Sequence, residues 1–70
     1  MNNQDIFQEE VIVESGGGLG VITLNRPQVL NALSMEMIRQ ISGTLNRWES
    51  DPAIKAVFFA GVGERAFCAG

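Results

Sequence analysis

Five consecutive apolar residues, Ala56-Val57-Phe58-Phe59-Ala60, stand between Lys55 and Gly61. Side chains of a strand point alternately to opposite faces, so an apolar run without polar alternation reads as a strand buried on both sides. Such a strand belongs in a parallel sheet with helices above and below it. This requirement constrains the chain more than any other, because 70 residues at this hydrophobicity supply only one helix to do the covering.

That helix is legible between two stop signals. Arg26-Pro27 ends an extended segment, since proline lacks an amide hydrogen and disfavours helical geometry in the residue before it. Ser34 then has the chemistry of an N-cap, and Glu36 falls in the first turn, where the helix dipole favours an anion. Apolar residues recur at Met37, Ile38, Ile41, Leu45 and Trp48, which the spacing assigns to one helical face. Gly43 interrupts this helix and is expected to mark a close packing contact. Asp51-Pro52 ends it.

Before the helix, residues 6–14 include the β-branched run Val11-Ile12-Val13 and read as a strand. Ser15-Gly16-Gly17-Gly18 is a turn able to adopt positive φ, and Leu19-Gly20-Val21-Ile22-Thr23-Leu24 resumes the strand pattern, giving a β-hairpin. A hairpin, a crossover helix and a buried strand make the beginning of an α/β architecture. The second covering layer must come from elsewhere. Residues 1–70 are therefore expected to be the N-terminal segment of a single domain, incomplete at its C-terminal end.

Composition narrows the function classes. At 46% hydrophobic residues the chain has the makings of a packed interior. Its net charge is −3, with Asp5, Glu9, Glu10 and Glu14 unopposed by any base before residue 15, which argues against nucleic acid. No run reaches the ~18 apolar residues of a membrane span. The single cysteine and the absence of histidine leave no internal disulfide and no metal-ligand spacing. Met1-Asn2-Asn3-Gln4-Asp5 lacks the pattern of a secretory or mitochondrial leader. With one free thiol, a cytoplasmic location is the expectation.

Two glycine-rich stretches invite nucleotide-binding readings. Gly61-Val62-Gly63-Glu64-Arg65-Ala66 matches G-x-G-x-x-A after a strand, but Phe67-Cys68-Ala69-Gly70 does not open the long helix that a dinucleotide site needs. Gly16-Gly17-Gly18-Leu19-Gly20 lacks the Lys-Ser/Thr of a phosphate loop. Both are better read as strand exits and turns. Cys68 has no histidine to activate it and Arg65 as its nearest cation in sequence, so packing is favoured over nucleophilic chemistry. Glu9 and Glu10 are adjacent on an extended segment and face opposite ways, which excludes them as an acid/base pair. No catalytic residue is assigned within the chain.

Two blocks carry a family resemblance. Ile22-Thr23-Leu24-Asn25-Arg26-Pro27-Gln28-Val29-Leu30-Asn31-Ala32-Leu33 resembles the first signature of the crotonase (enoyl-CoA hydratase/isomerase) superfamily, and Ala66-Phe67-Cys68-Ala69-Gly70 resembles the start of its second. The helix with Trp48-Glu49 and Asp51-Pro52 is most similar to the 3-hydroxyisobutyryl-CoA hydrolase branch.

The resemblance implies the N-terminal part of a ClpP/crotonase fold and a site for acyl-CoA thioesters, with coenzyme A entering as part of the substrate and no separate cofactor or metal. It implies thioester hydrolysis in valine degradation, or hydration or isomerisation of an enoyl-CoA. It also implies a homo-oligomer, a trimer or a multiple of one. Gln28, Val29, Leu30 and Ala32 match a loop that lines the CoA channel, largely through backbone contacts; Ala69 and Gly70 match the loop that meets the thioester. The first oxyanion donor would be the amide following Gly70, and the catalytic carboxylates would lie further on. Arg26 is expected to satisfy loop carbonyls. A reading of another class remains beside these: a non-catalytic fragment that folds only against a partner chain, with 56–60 an aggregation hazard if uncovered.

Overall fold

The computed structural model describes residues 9–63, 67 and 68. Strands β1 (Val11–Gly16) and β2 (Leu19–Leu24) are followed by one 3-10 turn (Pro27–Val29), helix α1 (Met35–Glu49) and strand β3 (Ala56–Gly61). The sheet order is β1-β2-β3. β1 pairs antiparallel with β2, from Val11 opposite Leu24 to Gly16 opposite Leu19. β2 pairs parallel with β3, from Leu19 opposite Ala56 to Leu24 opposite Gly61.

The hairpin turn is tighter than its sequence suggests. Only Gly17 and Gly18 lie outside the ladder, with φ of 59° and 83°. Two positive φ values are what a two-residue turn matching the strand twist demands, and glycine adopts them without a steric penalty. Ser15 and Gly16, expected in the turn, instead pair with Gly20 and Leu19. The first strand also begins later than expected, at Val11. At Glu9 and Glu10 the carbonyls are taken by Asn25, from its side-chain Nδ2 (2.8 Å) and its amide (2.8 Å) respectively. Residues 6–8 lie outside the described residues.

Alternation along the sheet puts Gly20, Ile22 and Leu24 on one face with Val11, and α1 covers it. Val11, Ile22, Leu24 and Met37 are the buried core, with Ile41, Trp48 and Cys68 packed against them. The inner face of α1 differs from the expected one. Met37, Ile41, Thr44 and Trp48 turn inward, whereas Ile38 and Leu45 are exposed. Each of these two follows a buried residue by one position, a rotation of about 100° that carries it off the narrow stripe the sheet can reach. Thr44, buried to 2%, takes the place the apolar pattern reserved for Leu45.

The close contact expected at Gly43 lies elsewhere. A Cβ at Gly43 would meet only Arg47 Nη1, at 3.8 Å, whereas a Cβ at Gly20 would sit 2.4 Å from Trp48 Cζ3. The indole lies directly on the bare backbone of β2.

β3 is not buried. Phe58 is 62% and Phe59 43% exposed, because β3 stands at the sheet edge and α1 packs toward β1. Phe58 shares the opposite face with Leu19, Val21 and Ile12, which α1 does not cover. The run asks for two covering layers, and within the described residues neither reaches Phe58 or Phe59.

The helix start follows the sequence closely. Ser34 is the N-cap, its Oγ accepting from the Met37 amide at 3.1 Å and donating to Glu10 Oε1 at 2.9 Å. Ser34→Ala removes both bonds. The expected result is a loss of about 1–2 kcal/mol, read as a lower midpoint in chemical denaturation of the full-length protein.

Candidate functional site

β2 and β3 run parallel and end side by side, Leu24 opposite Gly61. The Val62 amide donates to the Leu24 carbonyl at 2.9 Å, extending the pairing one step beyond the strands. The segments that follow, 25–33 and the one that begins at Val62, therefore emerge together at the carboxyl ends of two adjacent parallel strands. In α/β sheets this is where ligands bind.

The first loop is a rigid knot. Pro27 stands at the first position of the 3-10 turn, where its missing N–H costs nothing. Leu30 (φ 57°) and Asn31 (φ 57°) then adopt left-handed backbone. Asparagine tolerates this region; for leucine it is strained by about 1–2 kcal/mol. The strain is held by a closed set of bonds: the Val29 and Asn31 amides donate to the Arg26 carbonyl (3.0 and 2.7 Å), Leu30 to Pro27 (3.1 Å), and Ala32 to Val29 (3.1 Å).

Those bonds decide what the loop can offer a ligand. The four amides from Val29 to Ala32 are bonded within the loop, and so are the carbonyls of Val29 and Ala32, the first by the Ala32 amide and the second by Arg26 Nη1. Gln28 and Val29 are exposed, and Leu30 and Ala32 are half-buried. These four expected site residues do form one surface loop. Ala69 and Gly70 lie outside the described residues, as do Glu64, Arg65 and Ala66 of the glycine motif.

Arg26 is structural, as expected. Its Nη1 donates to the Ala32 carbonyl at 2.8 Å, and its Nε lies 3.6 Å from Glu10 Oε2. Glu10 was not legible as a site residue, yet its carboxylate joins Arg26 to the Ser34 cap. Asn31 was equally silent beyond its place in the signature. It is fully buried, its Oδ1 accepting from the Arg26 amide (2.7 Å) and its Nδ2 donating to the Val62 carbonyl (2.8 Å). The signal was a polar residue set between Leu30 and Ala32 just after a proline turn.

The glycines at the exit of β3 serve packing. A Cβ on Gly61 would lie 2.6 Å from the Phe67 carbonyl oxygen and 2.9 Å from Asn31 Nδ2, so the returning chain crosses directly over it. Gly63 has φ 103° and lies against Pro27. Cys68 is half-buried and packs on the core cluster, which fits the packing role read from sequence. A separate cleft of about 390 Å³ between β1 and α1 is lined by Glu9, Val11, Val13, Gln40, Thr44 and Arg47. It includes no residue of either loop.

Residues 19–70 match the sequence model of the family described as Enoyl-CoA hydratase/isomerase. The chain belongs to the enoyl-CoA hydratase/isomerase family. Relatives of this crotonase chain include the mitochondrial 3-hydroxyisobutyryl-CoA hydrolases of Homo sapiens, 55% identical over 62 residues (89% of this chain, 16% of that protein), and Bos taurus, 50% identical over 70 residues (100% and 18%). A carnitinyl-CoA dehydratase from Mycobacterium thermoresistibile has the same fold over 90% of this chain and 18% of its own, with TM-score 0.87 and 43% identity. The crotonase fold expected from the two sequence blocks is thus present. The chain spans less than a fifth of the length of these relatives.

The expected cytoplasmic location is corrected by the same comparison, since the human and bovine relatives are named as mitochondrial. It rested on a missing leader pattern and a lone thiol, and neither reports a compartment: an unpaired cysteine packed on a core, as Cys68 is, is stable in any of them.

Proposed function

We propose that the full-length protein hydrolyses an acyl-CoA thioester, with 3-hydroxyisobutyryl-CoA as substrate in valine breakdown, and that this chain supplies the beginning of the domain that does so. The observation carrying the reading is the identity to 3-hydroxyisobutyryl-CoA hydrolases across nearly the whole chain, 55% over 62 residues for the human protein. The open sheet face around Phe58 supports the claim that more of the domain packs here.

The chemistry explains why two braced loops matter more than any side chain. Attack on a thioester puts negative charge on its oxygen, and backbone N–H groups held rigidly in a dry site stabilise that charge, each by about 3 kcal/mol. Gln28, Val29, Leu30 and Ala32 line the path of the CoA moiety, the first two with exposed side chains. Ala69 and Gly70 approach the thioester and lead into the first oxyanion donor. CoA enters as part of the substrate, and the full protein assembles as a trimer or a multiple of one.

A hydratase reading is favoured by the 43% identity to the mycobacterial dehydratase. Release of free thiol on incubating the full-length protein with 3-hydroxyisobutyryl-CoA is the expected result. Loss of crotonyl-CoA absorbance with no thiol released from either ester would replace hydrolysis by hydration.

A further inference from the structure

We infer that Asn31 is a positioning residue of the acyl-CoA site, setting the height of the loop after β3 against the loop after β2. The inference rests on the thioester reading above, in which the second loop carries the oxyanion donor.

The geometry is specific to asparagine. On one side the side chain meets an N–H, that of Arg26 at 2.7 Å; on the other it meets a carbonyl, that of Val62 at 2.8 Å. A group that accepts at one end and donates at the other satisfies both, and only one orientation of the amide does so. The first bond closes the loop 26–31 on itself. The second crosses to the first residue beyond β3, whose own amide is already tied to Leu24. Asn31 is fully buried, so water does not replace either bond. Gly61 lets the Phe67 backbone descend until its carbonyl oxygen would lie 2.6 Å from an added Cβ, on the same spot where Asn31 Nδ2 would lie at 2.9 Å. The amide of Asn31 and the backbone of Phe67 therefore share one contact point over Gly61. A shift of one is transmitted to the other.

Asn31→Asp and Asn31→Gly separate this role from plain loop stability. Aspartate keeps the acceptor toward Arg26 and tolerates left-handed backbone, but it turns an oxygen toward the Val62 carbonyl. Glycine fits φ 57° without strain and loses both bonds. In the full-length protein, exchange of the Val62 amide, which donates to the Leu24 carbonyl at 2.9 Å, should rise about tenfold to a hundredfold in both variants, the scale of one lost buried hydrogen bond. In Asn31→Asp, the amides of Val29, Leu30 and Ala32 should stay protected. Turnover of 3-hydroxyisobutyryl-CoA should fall in kcat by about tenfold or more with a smaller change in KM, as for an interaction made in the transition state. Unchanged exchange at the Val62 amide in either variant, or faster exchange there with unchanged kcat, would overturn the assignment. The exchange measurement uses no substrate. A parent protein that cleaves no acyl-CoA would sink the proposed activity, while exchange alone would still decide whether Asn31 couples the two loops.

Discussion

Gly61→Ala is expected to destabilise the full-length protein by about 3 kcal/mol, at the upper end of the cost of overpacking. The added methyl would stand 2.6 Å from the Phe67 carbonyl oxygen, 2.9 Å from Asn31 Nδ2 and 3.1 Å from Phe67 Cα. Two of these three neighbours are backbone atoms and the third is an amide bonded to Val62. None swings aside on a side-chain torsion, so relief requires lifting the returning chain off β3. That movement also displaces the proposed thioester loop. Chemical denaturation should show a lower midpoint, and thioester cleavage below that midpoint should fall as well. A variant with the parent's midpoint and activity would mean that the Phe67 backbone does not pass over Gly61.

Gly20→Ala should cost about 2 kcal/mol, less than Gly61→Ala although the nominal overlap is closer. Here the neighbours are the ring carbons of Trp48, at 2.4, 2.6 and 2.7 Å. The indole is half-buried at one end of α1, and rotation about its side-chain torsions relieves part of the clash at the cost of its contact with β2. The readout is doubled: a lower denaturation midpoint, and tryptophan emission of the folded variant shifted toward longer wavelength as the ring moves into water. Parent-like emission and stability would contradict the stacked geometry.

Much of the architecture was open to sequence reasoning because it depends on local rules. Proline at 27, the serine cap at 34 and the glycine pair at 17 and 18 act through the backbone of their own neighbours, and each appears where local chemistry puts it. The loop 28–32 could be named from its signature. What its residues do could not be read, because the direction of its amides is set by bonds that close only in three dimensions. Glu10 and Asn31 illustrate the limit. Glu10 works on Ser34, 24 positions away, and Asn31 on Val62, 31 positions away; nothing local distinguishes a solvated glutamate from one that caps a network. Leu45 and Thr44 show a milder form of it, since hydropathy alone favours leucine and the breadth of the sheet beneath the helix favours threonine.

By itself the sequence determined the kinds of element, their order and the family, since propensity, capping and signature spacing are properties of neighbouring residues. Only the tertiary structure decided that Trp48 rests on Gly20, that Asn31 joins two loops 31 positions apart, and that β3 stands open at Phe58. Those outcomes depend on which surfaces meet, and a surface is complete only when chain segments distant in sequence have been brought together.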